Sequence, residues 1–396
     1  MRAPATVIIG DHTQGLGIVR SAADAGGEIW VVNDKSISLA RFSKYVNGYT
    51  RLPAGMLSQV GRADVDEMLV RALLDVPVAY PSLLCGVNED IVSFIHRSRK
   101  RLGAKYAIPD VRLDTIVDKY LFNALLPEPL RIHTRLCSEV DLDHQAHPER
   151  LILKGRQGNG FRRVTGKKAL PLTRLTIEAR TQLFERLGPN EIVVQEIVET
   201  DRPVLSVCSF GVAGRLSAVF AYEKLRQHPN AFGTGTFLRS VSAGPVERLA
   251  REIHARTAFT GIAEIEFVFD RRTNSYKAIE MNPRTWKSIH FATLCEQNLV
   301  ARYLTYLESG REPADTGYEC DRYWADLATD IPQLIRNVER PRYPRGMFEC
   351  TWRRSDPWPA FVLWTLFPLI AVEDTWSSLV AAVRARRRDS GVSVLA

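Results

Sequence analysis

The residues best equipped for chemistry sit in the stretch 277–286, KAIEMNPRTW. An apolar strand runs there straight into a carboxylate, an amide, a proline and an arginine, whereas a strand that only had to stop would use Gly, Asp or Ser. Upstream, GIAEIEFVFD places Glu264 and Glu266 two residues apart, on the sheet face opposite Ile265 and Phe267. DRRTNS turns the chain, and the returning strand brings Glu280 across from them. Facing carboxylates repel unless a cation lies between them. The Asn282 oxygen, two residues on and on the same face, adds a third hard ligand. A small set of oxygen donors suits Mg²⁺, which keeps its other positions for water and phosphate. A polar sheet face neutralised by nearby arginines is the plainer alternative.

A second group lies upstream. Lys154 ends the apolar run LILK, and GRQGNG follows at once, so a loop rich in backbone N–H groups with flexible Gly158 and Gly160 stands beside an ammonium. That pairing grips phosphates, although the Gly-x-x-x-x-Gly-Lys order of a P-loop is absent. Lys119, in IVDKY, offers a second cation. The strand IVVQE ends in Glu196, where it can present a carboxylate and main chain to a purine edge, with Glu199 or Asp201 reaching ribose hydroxyls. Lys224, Arg226 and His228 enter a GTG turn and could neutralise a substrate carboxylate, or form a solvated basic loop. His290 reads as a packed histidine.

These groups need an α/β framework to hold them. TVIIG, a glycine-containing turn, a helix and EIWVVN open a doubly wound domain. Gly10, Gly15 and Gly17 lack the dinucleotide spacing, and the only acid placed for a ribose is Asp34. Alternation continues to a lobe end near Pro109. The apolar positions Leu113, Ile116, Val117, Leu121 and Leu125 then predict one helix. After Glu149 comes a small lobe, and long strands dominate beyond residue 200. The expected domains are 1–110, 111–200, 201–315 and an accessory helical segment 316–396, either a dimer surface or a cover for the substrate entrance.

A chain of 396 residues exceeds one ordinary core. Its six cysteines never form Cys-x-x-Cys, which argues against zinc knuckles and a disulfide framework and for a reducing, cytoplasmic setting. The uncharged run Pro357–Val372 is too short and proline-rich to span a bilayer, leaving a core piece, a partner interface or peripheral membrane contact. The net charge of +8 owes much to Arg384, Arg386, Arg387 and Arg388, a solvated face rather than a nucleic-acid arm.

The order of lysine, lysine with glycine loop, acid-ended strand and acidic strand pair with Asn and Arg resembles the ATP-grasp superfamily of carboxylate–amine and carboxylate–thiol ligases, over roughly residues 1–300. EMNPR is its most specific match. YEKLRQHPNAFGTGTFLRSV and EMNPRTWKSI are similar to the D-aspartate-ligase-like and predicted carboligase branch. The resemblance implies a Rossmann-like pre-ATP-grasp lobe, a small lid and a C-terminal antiparallel-sheet lobe. It makes Lys119 and Lys154 contacts to ATP phosphates, Glu196 an adenine contact and Glu199 a ribose contact. Glu266, Glu280 and Asn282 become ligands of magnesium, two ions with manganese as a substitute, and Arg284 faces the acyl phosphate. Lys287 stands where members often have Gly, and Arg156 where Pro or Ser is usual. Both departures bear on the substrate, to which Lys224, Arg226 and Lys287 are assigned. The implied reaction joins a small-molecule carboxylate to an amine. An ATP-dependent carboxylase working through carboxyphosphate is the second reading, though WKSIH lacks the Gln-Val-Glu-His continuation of biotin carboxylases. A nucleotide-binding module without catalysis is the third.

Overall fold

A computed structural model describes residues 3–366. The N-terminal lobe begins with β1 (Thr6–Ile9), α1 (His12–Ala23), β2 (Ile29–Asn33), β3 (Gly48–Arg51), α2 (Ala63–Asp75), β4 (Leu83–Gly86), α3 (Glu89–Arg97) and α4 (Arg99–Leu102). Its strands lie parallel in the order β3-β2-β1-β4. Parallel strands covered on both faces read as unbroken apolar runs, and TVII is fully buried. Ile8 and Val31 pack toward α1, while Val7, Ile9 and Val32 pack toward α2 and α3.

The predicted helix over 113–125 is two helices, α5 (Leu113–Val117) and α6 (Lys119–Leu125). Asp118 breaks it. Its backbone is extended, and its carboxylate caps α6 by accepting from the N–H groups of Tyr120 (3.0 Å) and Leu121 (3.1 Å). Leu121, expected on the apolar face, is exposed in consequence.

The small lobe holds β5 (Thr134–Leu136), β6 (Leu151–Gly155), α7 (Gly160–Thr165), β7 (Ala169–Pro171), α8 (Ile177–Leu187) and β8 (Ile192–Glu196). The sheet β5-β8-β6-β7 is antiparallel and packs on α7 and α8 through its own cluster around Leu153, Phe161, Leu183 and Val194.

The largest lobe is built on β9 (Leu205–Val212), β10 (Arg215–His228), β11 (Thr234–Ser240), α9 (Gly244–Thr257), β12 (Gly261–Asp270), β13 (Ser275–Asn282), α10 (Ile289–Leu294), α11 (Leu299–Ser309), β14 (Tyr323–Ala325), α12 (Leu327–Arg336) and β15 (Phe348–Glu349). Its seven strands run β13-β12-β9-β10-β11-β14-β15. One face packs on α5, α6 and α9. The other joins α1, α10 and α11 in a cluster shared with the N-terminal lobe, including Ile18, Phe210, Phe220 and Phe291.

The segment expected to be helical after residue 315 therefore also supplies two strands, β14 and β15. It is tied back to the first lobe through Arg20, whose guanidinium donates to Asp356 Oδ2 (3.0 Å) and to the Thr351 carbonyl (2.8 Å), all buried. A helix at 358–366 covers the start of Pro357–Val372, burying Val362 and Leu363 against Leu39 and leaving Trp358 and Phe361 exposed. Residues 367–372 and the arginine run 384–388 lie outside the described residues. Among the described residues no helix is long and apolar enough to cross a membrane.

Candidate active site

The acidic strand pair forms in the register the alternation demands. Glu266 is the direct partner of Glu280, and Glu264 of Asn282. Between the pairs Glu266/Glu280 and Phe267/Ala278 the ladder passes over Ile279. This bulge bends β13 just where Glu280 must turn to the same face as Glu264 and Glu266.

Four lysines converge on these acids from three parts of the chain. Lys224 of β10 sits 2.6 Å from Glu266 Oε1. Lys154 of β6 donates to Gln195 Oε1 (2.8 Å), and that side chain is held by Thr134. Lys168, just before β7, donates to Thr234 Oγ1 of β11 (2.9 Å). Lys119 opens α6, and its N–H donates to the Arg156 carbonyl (3.0 Å) in the glycine loop.

Electrostatics bind the group together. Burial alone would push the Glu280 carboxyl up, but Lys119, Lys154, Lys168 and Lys224 together hold it down at about 2. Glu266 goes the other way: burial raises it, and Lys224 offsets only part of that cost. Burial pulls Lys154 down to about 8 against the attraction of Glu280 and Glu266. Lys168 is also lowered by the desolvation its surroundings impose, although the residue as a whole is exposed. Lys224 is raised, because Glu266, Glu264 and Glu280 outweigh its desolvation. Glu264 is deeper, accepting from the Tyr222 hydroxyl and from Asn282 Nδ2 at 3.4 Å.

Arg284 follows directly. Nη2 donates to Asn282 Oδ1 (3.2 Å) and Nη1 to the Thr285 carbonyl (2.9 Å), while Nε is buried without a partner among the described residues. Gln14 of α1 fixes Thr285 from the first lobe through its carbonyl (2.7 Å) and hydroxyl (3.0 Å).

The glycine loop is shaped by Asp118 and by two acids of α3. Asp118 Oδ2 accepts from Arg156 Nε (2.7 Å) and Gln157 Nε2 (2.8 Å). Gly158 adopts φ +55° and donates its N–H to Glu89 Oε1 (2.5 Å). A side chain there would be strained and would meet Asp90 Oδ1 at 2.9 Å. The Asn159 side chain donates to Asp90 Oδ2 (3.1 Å).

The sequence matches no protein-family model and no curated protein. The fold does have likenesses among solved structures. An N5-carboxyaminoimidazole synthetase from Staphylococcus aureus, complexed with ADP, aligns at TM-score 0.60 and 15% identity over 85% of this chain and 86% of the other. A biotin carboxylase from Campylobacter jejuni aligns at 0.59 and 13%, over 81% and 74%. An L-amino acid ligase from Bacillus licheniformis aligns at 0.53 and 12%, over 78% and 75%. The chain has the ATP-grasp fold.

In the ATP-grasp frame the small lobe is the lid and the seven-stranded sheet the base. The sequence-assigned residues fall into two sets. Lys119, Lys154, Lys224, Glu266, Glu280, Asn282 and Arg284 converge, with Gly158 and Gly160 in the loop above Lys119. Glu196 is the last residue of β8, paired with Arg272 of the β12–β13 turn, and the Glu199 carbonyl accepts from the Arg271 N–H (2.9 Å). Arg226 and Lys287 are engaged elsewhere. Arg226 forks onto Asp330 of α12 (3.1 and 2.6 Å), which also accepts from Thr236 and Tyr343. Lys287 pairs with Asp326 at the start of α12.

A bulge explains the separation of Arg226 from Lys224. Lys224 pairs with Leu238 and Arg226 with Phe237, so Leu225 is extra and the two basic side chains leave on opposite faces. His228 is likewise bound to α12, through Gln333 (2.8 Å). Asp34, the one acid placed for a ribose in the first lobe, accepts instead from the Leu57 N–H (2.8 Å). His290 is packed, with burial lowering it to about 3. Sequence reasoning missed Lys168, Asp118 and Gln195. Asp118 carried a signal, as an N-cap residue type ahead of a helix.

Proposed function

We propose that this protein uses ATP to activate a carboxylate as an acyl phosphate and joins it to an amine, releasing ADP and phosphate. The observation that carries the reading is Glu266 facing Glu280 inside a ring of Lys119, Lys154, Lys168 and Lys224, with Arg284 beside them. Four lysines around two carboxylates leave a surplus of positive charge that suits a polyanionic ligand such as a triphosphate.

Glu266 and Glu280 would hold magnesium, joined by the Asn282 oxygen once its amide rotates away from Arg284, since Nδ2 now donates to Glu264 (3.4 Å) and Glu280 (3.2 Å). The donor set fits: all are hard oxygens, and among the described residues no three His, Cys, Asp or Glu side chains form a closed metal cage, so water and phosphate would complete the shell. Bound there, the ion neutralises phosphate charge during transfer. Lys154, Lys119 and the N–H groups of the glycine loop orient the phosphates, with Lys168 as a further cation from the lid. Glu196 and Glu199 stand at the hinge, where the adenosine end of a nucleotide lies in this reading. A substrate carboxylate oxygen attacks the γ-phosphorus and ADP leaves. The amine nitrogen then attacks the acyl carbon, the carbon–oxygen bond to phosphate breaks, and the amine proton passes to solvent. Arg284 stabilises the oxyanion of that second step. The closed lid keeps water from the acyl phosphate.

Phosphate release measured with pools of acids and amines, leaving out one component at a time, tests the proposal. Release that needs both an acid and an amine supports it. Release that needs bicarbonate instead supports the carboxyphosphate reading, which the likeness to a biotin carboxylase favours. Undiminished release in Glu280→Gln refutes the metal assignment.

A further inference from the structure

A second cavity, of about 110 Å³, lies between the N-terminal lobe and the base sheet. Its walls are mostly apolar and come from separate elements, Val92 and Ile95 of α3, Ile108 and Val111 of the linker, Ile262 of β12 and Tyr303 of α11, with His96 of α3 beside them, its Nε2 buried without a partner among the described residues. Val92, Pro283 and Arg284 line both this cavity and the cleft that holds Lys119, Glu280 and Asn282, so the two adjoin at these residues. Among the described residues Arg284 is the only Lys, Arg, Asp or Glu on its lining. Asn282 and Thr285 fix the guanidinium plane at that junction, and the partnerless Nε–H leaves it donor capacity for a carboxylate.

We propose that this cavity receives the apolar tail of the acid substrate, with Arg284 at the junction turning the carboxylate toward Glu280. The proposal rests on the ligase reading and deepens it, naming the substrate class as a monocarboxylate with a short uncharged hydrocarbon tail. An apolar cavity of about 150 Å³ accepts the six carbons of benzene, so a tail of about four to five carbons suits this one. A second carboxylate at the tail would be buried among Ile95, Ile108 and Ile262 with no Lys or Arg beside it and only the His96 ring nitrogen to meet it, which disfavours dicarboxylates.

The test uses the full chain with ATP, magnesium and hydroxylamine, which traps an acyl phosphate as a hydroxamate. Acetate, butanoate, 4-methylpentanoate and succinate are compared. The expected result is a kcat/KM for 4-methylpentanoate at least about tenfold above acetate and succinate, since a single methylene in an apolar pocket is worth about tenfold or more. Ala107→Leu, which adds three carbons to the cavity wall, should reverse that ranking while leaving KM for ATP unchanged. Val111→Phe serves if the first variant fails to fold. Saturation-transfer NMR reads the binding of 4-methylpentanoate directly, and the filled variants should lose it. Equal use of acetate and 4-methylpentanoate, or an unaltered ranking in a folded filled variant, overturns the cavity assignment and leaves the ligase reading standing. If no acid gives hydroxamate or phosphate, the ligase reading fails. The NMR arm then decides the cavity: binding that the filled variants lose supports it, and no binding overturns it.

Discussion

Raising the pH should weaken nucleotide binding by discharging Lys154. Burial at the end of β6 pulls this ammonium from 10.5 to about 8, against the attraction of Glu280 and Glu266. About nine-tenths of it is charged at pH 7 and about one-tenth at pH 9. A nucleotide whose phosphates need that charge should therefore bind about tenfold more weakly at pH 9, a difference of about 1.4 kcal/mol. The phosphates contribute little to the trend, since their last proton leaves near pH 6. Calorimetric titration of a nonhydrolysable ATP analogue from pH 7 to 9.5 measures the slope, and Lys154→Arg, which stays protonated throughout, should flatten it. The stability of the free protein runs the other way. The unfolded chain keeps the lysine proton up to 10.5 while the folded one loses it near 8, so the burial penalty is full below 8 and is relieved progressively as pH rises from about 8 to 10.5. Affinity that stays level to pH 9.5 in the wild type, or an equal slope in Lys154→Arg, would refute the placement of phosphates at Lys154.

Three further outcomes are expected. Glu280→Gln should lower phosphate release by at least about a hundredfold with an unchanged circular dichroism spectrum, and chelation of magnesium should do the same to the wild type until the metal is restored. Asp118→Ala removes the α6 cap and orphans Arg156, at about 1–3 kcal/mol, so hydrogen exchange over residues 155–160 should quicken and KM for ATP rise about tenfold. Glu89→Ala frees the Gly158 N–H, so exchange there should quicken in the free protein, and nucleotide should bind about fivefold more tightly if that amide takes a phosphate, by the roughly 1 kcal/mol of one hydrogen bond.

Much of the cleft could be read from local spacing. Period two placed Glu264 and Glu266 on one face, and the hairpin turn between the strands was short enough to bring Glu280 opposite. Lys154 stood out because an apolar strand ended in a charge next to glycines. What escaped depended on distant parts of the chain. Lys168 has no local mark, and only the pairing of β6 with β7 carries it over Glu280. The bulges at Leu225 and Ile279 change which face a residue joins, and strict alternation cannot register them; Arg226 was grouped with Lys224 for that reason. At Asp118 helical periodicity outweighed a capping signal that was present. β14 and β15, three and two residues long, are too short for any repeat to be seen.

The carboxylate of Glu89 on the Gly158 amide has a consequence for the ligand-free protein. A phosphate could take that N–H only by evicting a resident oxygen, so on the proposed reading arrival of nucleotide would be an exchange of anions rather than the filling of a void, and the evicted side chain belongs to a different lobe. Loading the loop with phosphate would thus cut one of the ties between lid and first lobe at the moment closure begins, and departure of ADP would restore it.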